Sequence, residues 1–182
     1  MDKHQAQGFS LVELLAVMTV AAVILLAAFK FFNKDYVKAK ISGTIGYFEP
    51  IKLALTEFRV LHGDLRKLNS SRPQEMWSKL LLKDPSTETK NLAAVRVWSL
   101  SANSVQVLLC LNQDEIKIPQ GSKLGILYDG SYNGDQLAWQ CSFVVNRAPD
   151  EHTAIDYSIR SLSLLLPESC RKLSVSSVLE CN

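Results

Sequence analysis

Gly8-Phe9-Ser10-Leu11-Val12-Glu13-Leu14-Leu15-Ala16-Val17-Met18-Thr19-Val20-Ala21-Ala22-Val23-Ile24-Leu25-Leu26-Ala27-Ala28-Phe29 is the stretch on which the architecture turns. From Leu14 to Phe29 sixteen residues pass without a charge, and Thr19 alone among them is polar. As a helix, the 21 residues from Phe9 to Phe29 extend about 30 Å, enough to cross the hydrocarbon core of a bilayer. An ordinary secretory signal places a basic region first, then an apolar run, then a cleavage site. Here the polar leader Met1-Asp2-Lys3-His4-Gln5-Ala6-Gln7 ends at Gly8, ahead of the apolar run. Cutting at Gly8 would leave the apolar helix on the mature protein, beginning at Phe9.

Glu13 breaks the pattern. It stands four residues after Phe9, one helical turn away on the same face. A carboxylate at membrane depth costs on the order of 2.5–3.5 kcal/mol on insertion scales, so it calls for a partner. Cleavage after Gly8 would create one, a positive α-amino group on Phe9 of the same or a neighbouring copy. The plainer alternative is a glutamate at a helix end that reaches into the head groups.

Outward from this segment the chain is ordinary globular sequence. Its 182 residues, 47% hydrophobic and 21% charged, support one domain of common size beyond the anchor. A net charge of +2 is too small to argue for a nucleic-acid partner. Residues 36–61 keep helical period, with Ile41, Ile45, Phe48, Ile51, Leu55 and Phe58 on one apolar face. Pro50 predicts a kink in this helix and Gly63 its end. Anchor and amphipathic half together predict one helix of about fifty residues, half in membrane and half packed on a domain.

Pro73, Glu75, Met76, Trp77, Leu80 and Leu81 predict a short amphipathic helix in the connecting loop. Strand patterns follow at 95–100 and 105–111, around Ser101-Ala102-Asn103-Ser104. Two more lie at 124–128 and 137–145, around a turn at Asn133-Gly134. The expected fold is α+β: a long N-terminal helix packed on a four-stranded antiparallel sheet.

Cys110, Cys141, Cys170 and Cys181 all lie in the C-terminal half, without the C-x-x-C spacing of a zinc or redox motif. Widely spaced and even in number, they fit disulfides in an oxidising compartment; four reduced core cysteines are the alternative. The anchor favours the first. Four cysteines admit three pairings. His4, His62 and His152 are isolated and predict no metal site, and neither a nucleophile elbow nor a phosphate loop is present. No cofactor and no catalytic residue is expected. Asp129-Gly130-Ser131-Tyr132-Asn133-Gly134-Asp135 echoes the start of a calcium loop, but the twelfth position is Gln140, which favours a plain hairpin.

Gly8-Phe9-Ser10-Leu11-Val12-Glu13-Leu14 resembles the processing site of type IV prepilins and type II secretion pseudopilins. The resemblance implies cleavage between Gly8 and Phe9 by a prepilin peptidase and N-methylation of Phe9. It also implies that Glu13 neutralises the amino terminus of an adjacent subunit during assembly. Residues 1–8 become a leader, 9–32 a transmembrane and assembly helix, and 33–182 a periplasmic or extracellular globular domain, with 33–62 the amphipathic half of the helix. Lys34, Lys38 and Lys40 oppose this topology under the positive-inside rule, although Asp35 dilutes them. Lys30 stands where the main type IV pilins usually carry a proline, and Ala22 where they often carry glycine. A straighter anchor is therefore expected.

Trp139-Gln140-Cys141 and Leu166-Pro167-Glu168-Ser169-Cys170-Arg171 resemble the disulfide-bounded C-terminal region of type IVa pilins. That likeness implies a Cys141–Cys170 bond and leaves Cys110 and Cys181 for a second. The implied function is structural, not enzymatic: a major or minor type IV pilus subunit serving adhesion, twitching motility or DNA uptake. Its partners would be the prepilin peptidase, other pilin subunits and an inner-membrane assembly platform. It would span the bacterial inner membrane once before assembly and stand outside the cell afterwards. A type II secretion pseudopilin and a non-polymerising membrane-anchored binding module are the alternatives.

Overall fold

The computed structural model describes residues 10–69, 72–116, 123–134, 136–146, 162–175 and 181. The chain forms two compact units that divide between Val37 and Lys38. In the first, helix α1 (Leu11–Gly46) opens with an apolar stretch, Leu11–Ala28, of mean hydropathy 2.6 and with no buried residue. It is long and apolar enough to cross a membrane. The helix runs unbroken through Ala22 and Lys30, as their helix-compatible backbones allow.

In the second unit the end of α1 is followed by α2 (Phe48–His62). The single long helix predicted from the sequence is therefore two, with Tyr47 as the break. Pro50 is the cause. It has no N–H for the Gly46 carbonyl and its ring crowds that oxygen, so the ladder fails one turn before the proline. Helix α2 ends where expected, at Gly63, whose φ of 72° suits a residue without Cβ.

The buried stripe is Ile41, Thr44, Phe48, Ile51, Leu55 and Phe58. Thr44 takes the core position that apolarity alone would give to Ile45, which is only half-buried. Its hydroxyl donates to the Lys40 carbonyl at 2.9 Å, so the polar atom enters the core satisfied.

The chain then forms a 3₁₀ turn at Leu65–Leu68, the predicted short helix α3 (Pro73–Lys79) and a second 3₁₀ turn at Pro85–Thr87. The sheet comprises β1 (Leu92–Ser101), β2 (Ser104–Leu111), β3 (Lys123–Asn133), β4 (Gln136–Asn146) and β5 (Leu173–Val175), in that spatial order. A short helix, α4 (Gln113–Ile116), follows β2. The first four strands are the antiparallel meander read from the sequence. The fifth adds to it and runs parallel to β4, from Phe143–Leu173 to Val145–Val175. Three residues at an edge carry too little pattern to be seen beforehand.

Register assigns the two faces. Val105, Val107 and Leu109 lie beside Tyr128, Ile126, Cys141 and Phe143. Phe48 of α2 stacks on Tyr128 with centroids 3.6 Å apart and meets Trp139 edge-on at 4.8 Å, which makes this the helix-covered face. The opposite face carries a smaller cluster of Leu108, Cys110 and Val144, with Ala94, Trp98, Leu127 and Cys181 against it.

Candidate functional site: the N-terminal helix and the cross-linked C-terminal region

The helix starts at the Ser10 carbonyl, which accepts from the N–H groups of Glu13 at 3.0 Å and Leu14 at 3.1 Å. Glu13 thus sits in the first turn, where the helix dipole favours a negative charge. It is exposed, and it is the only ionisable residue between Leu11 and Ala28. Thr19, the other polar residue there, satisfies its hydroxyl on the Ala16 carbonyl at 2.8 Å. An apolar surround would tolerate Thr19 but leaves the carboxylate of Glu13 in need of a cation. Gly8 and Phe9, read as the cleavage and methylation positions, lie outside the described residues, as do the leader and His4.

The C-terminal region is held to the sheet from both faces. Cys141 of β4, on the helix-covered side, is bonded to the buried Cys170, with Cα atoms 4.6 Å apart. Cys110 of β2, on the other side, is bonded to Cys181, with Cα atoms 5.6 Å apart. Cys170 ends a 3₁₀ turn, Glu168–Cys170, and its N–H reaches the Pro167 carbonyl at 2.9 Å. Beside it Leu166 is buried, and Arg171 Nε donates to the Leu166 carbonyl at 3.0 Å. The Phe143 N–H then takes the Lys172 carbonyl at 2.9 Å, and β5 begins. The first disulfide therefore sits at the entry to the added strand.

Polar ties hold the rest of the second unit. Lys40 Nζ meets Glu115 Oε2 at 2.6 Å and the Glu115 carbonyl at 2.8 Å. That hydrogen bond and charge, with a smaller contribution from Lys90, hold the Glu115 carboxyl below its usual range. Arg59 binds the Gly63 carbonyl, donates from Nη2 to Asn103 Oδ1 at 2.8 Å, and lies 5.4 Å from the Tyr132 ring centroid. Asn69 pairs its amide with the Ser99 backbone, accepting at 2.8 Å and donating at 3.0 Å. In this way a side chain replaces a strand partner on the open edge of β1. Burial pushes the Tyr128 hydroxyl up to about 12.

The calcium-like segment is part of the β3–β4 hairpin. Asn133 faces Gln136 and Gly134 turns the chain at a φ of 69°. The Asp129 carboxylate accepts from Gln106, its paired neighbour on β2. No group of three or more His, Cys, Asp or Glu positioned to hold a metal occurs among the described residues. His62 lies against Phe58 and gives its carbonyl to Lys67; His152 is outside the described residues.

Residues 3–29 match the family model of the prokaryotic N-terminal methylation motif, the signature of prepilins. The motif implies processing by a prepilin peptidase and assembly with other pilin subunits. In these residues the chain is similar to pilins and pseudopilins, and its helix is long and apolar enough to anchor a precursor in a membrane. No curated protein and no solved structure matches the chain.

Proposed function

From the premise that the chain carries the prepilin methylation motif, we propose that it is a structural subunit of a type IV pilus. The observation that carries this reading is Glu13, an exposed carboxylate in the first turn of an otherwise uncharged apolar helix. Precursors are held in the inner membrane, cut after Gly8 and methylated at Phe9, then drawn by the assembly platform into a filament of packed N-terminal helices. Glu13 of one copy meets the Phe9 amine of another, so the charge that burdens a lone helix becomes a joint. Apolar surface passes from lipid to protein.

The cross-linked C-terminal region favours a pilus over a type II secretion pseudopilus. It supports a domain that must keep its fold outside the cell, where adhesion, twitching motility or DNA uptake would act on it. Glu13→Ala tests the reading. A processed subunit that is missing from sheared surface filaments is the expected result. Unchanged filaments, or a retained leader in cells with an active peptidase, would overturn it.

A further inference from the structure

The two disulfides join cysteines in an order that the chain alone does not favour. Cys110 and Cys141 come first, Cys170 and Cys181 last. In a chain without structure, loop closure favours Cys170 with Cys181, the nearest two in sequence, which leaves Cys110 with Cys141. The observed bonds are nested instead. Cys141–Cys170, of separation 29, lies inside Cys110–Cys181, of separation 71.

The sheet forbids the other outcome. Cys110 pairs with Gly125 of β3, and Cys141 pairs with Tyr128 on the other side of the same strand. Gly125 and Tyr128 are an odd number of positions apart, so the two cysteines project from opposite faces. Two strand spacings and three residues of rise put their Cα atoms roughly 14 Å apart. A disulfide spans only about 4.4–6.8 Å, so Cys110–Cys141 cannot form once the sheet is closed. Each face meets one later cysteine instead. Cys170 lies by the β4 edge, where the Phe143 N–H takes the Lys172 carbonyl at 2.9 Å. Cys181 packs on the second face with Leu108, Cys110 and Val144.

Helix α2 and strands β1 to β4 all precede Cys170, and each of these strands pairs with the next in sequence. Hairpins close in about 1–10 µs, whereas disulfides take seconds or longer. Synthesis at about 5–20 residues per second leaves seconds between Cys141 and Cys170. The meander has time to fold while Cys110 and Cys141 are the only cysteines present.

We propose that the folded meander selects the disulfide partners, closing first and holding Cys110 and Cys141 on opposite faces until Cys170 and Cys181 arrive. A chain oxidised ahead of its sheet carries Cys110–Cys141 and Cys170–Cys181 and becomes a substrate for a dithiol isomerase. The isomerase thiolate attacks Cys141 Sγ, forming a mixed disulfide and releasing the Cys110 thiolate. That thiolate attacks Cys181 Sγ and frees Cys170, which then displaces the isomerase from Cys141. Two bonds break and two form, with no net oxidation. The selection operates whether or not the chain polymerises.

The test uses the full chain in mild detergent, reduced and unfolded in urea. If urea is removed before oxidised glutathione is added, peptide mapping should find Cys110–Cys181 and Cys141–Cys170. If the oxidant comes first, Cys110–Cys141 should appear. Native pairs should then return roughly tenfold faster or more with protein disulfide isomerase than without it. The variant Cys170→Ser/Cys181→Ser keeps only Cys110 and Cys141. Their bond should form roughly tenfold more slowly, or slower still, in native buffer than in urea. Equal rates in that variant would overturn the proposal. So would Cys110–Cys141 in wild type oxidised after urea removal, including where the reduced chain fails to fold. Native pairs arising directly in urea would remove the need for an isomerase and sink that step.

Discussion

Trp139 lies over Gly130, its directly paired neighbour on β3. A Cβ built on Gly130 would stand 2.7 Å from Trp139 Cζ3 and 2.8 Å from Cη2, inside any allowed contact. The indole in turn presents an edge to Phe48, so the glycine seats the start of α2 on the sheet. Neither a rigid ring nor a central strand can give way cheaply. Gly130→Ala should therefore destabilise the domain by roughly 1–3 kcal/mol, the usual cost of overpacking. Thermal unfolding of the detergent-solubilised chain would show it, and an unchanged midpoint would refute the packing argument.

The Lys40–Glu115 pair sets a pH dependence. The folded carboxyl is held below its ordinary value of 4.5, chiefly by hydrogen bonding to Lys40. Its contribution is thus present above pH 4.5 and lost as pH falls through the lower folded value. Wild type and Glu115→Gln should differ in melting temperature at pH 7 and converge in acid. A constant difference from pH 7 to pH 3 would contradict the assignment.

Removing the disulfides one at a time should give unequal losses. Cys110–Cys181 spans a sequence separation of 71 and Cys141–Cys170 one of 29. The chain-entropy model assigns them roughly 4.4 and 3.6 kcal/mol. The paired Cys→Ser variants should unfold at lower denaturant in that order. Only the Cys141/Cys170 variant should also lose amide protection at Phe143 and Val145, the residues that pair with β5.

Leu81 closes α3 at a φ of 55°. Leu81→Gly should stabilise the folded domain, by about 1 kcal/mol, because glycine adopts the left-handed turn without a Cβ penalty. The exposed leucine gives up almost no buried area in exchange. A lower melting temperature would mean that the side chain serves the fold after all.

Asn69→Ala should cost roughly 1–3 kcal/mol, since it leaves the Ser99 N–H and carbonyl on the β1 edge without their side-chain partner. Hydrogen exchange at Ser99 should quicken more than at Val107 in the sheet centre. Equal changes at both would point to global destabilisation instead.

The elements that could be read in advance carried a long or doubled signal. The apolar run through Leu11–Ala28 needs only its own composition, and Gly63 and the Asn133–Gly134 turn need only local backbone geometry. Periodicity marked α2, which keeps one buried stripe, and runs of apolar residues marked the four strands. The break at Tyr47 was displaced from Pro50 because the proline acts on the carbonyl four residues earlier.

What the sequence by itself determined is the helix that must leave water, the charge that interrupts it at Glu13, and the order of the short helix and the first four strands that follow it. Those follow from interactions between near neighbours and from the transfer of apolar side chains. Tertiary structure alone decided the rest. Thr44 displaced Ile45 from the core, β5 joined β4 in parallel, and Cys110 and Cys141 came to opposite faces of one sheet. It also left Leu81 strained in solvent. These depend on which distant residues are brought together, a question of packing and register that no local pattern encodes.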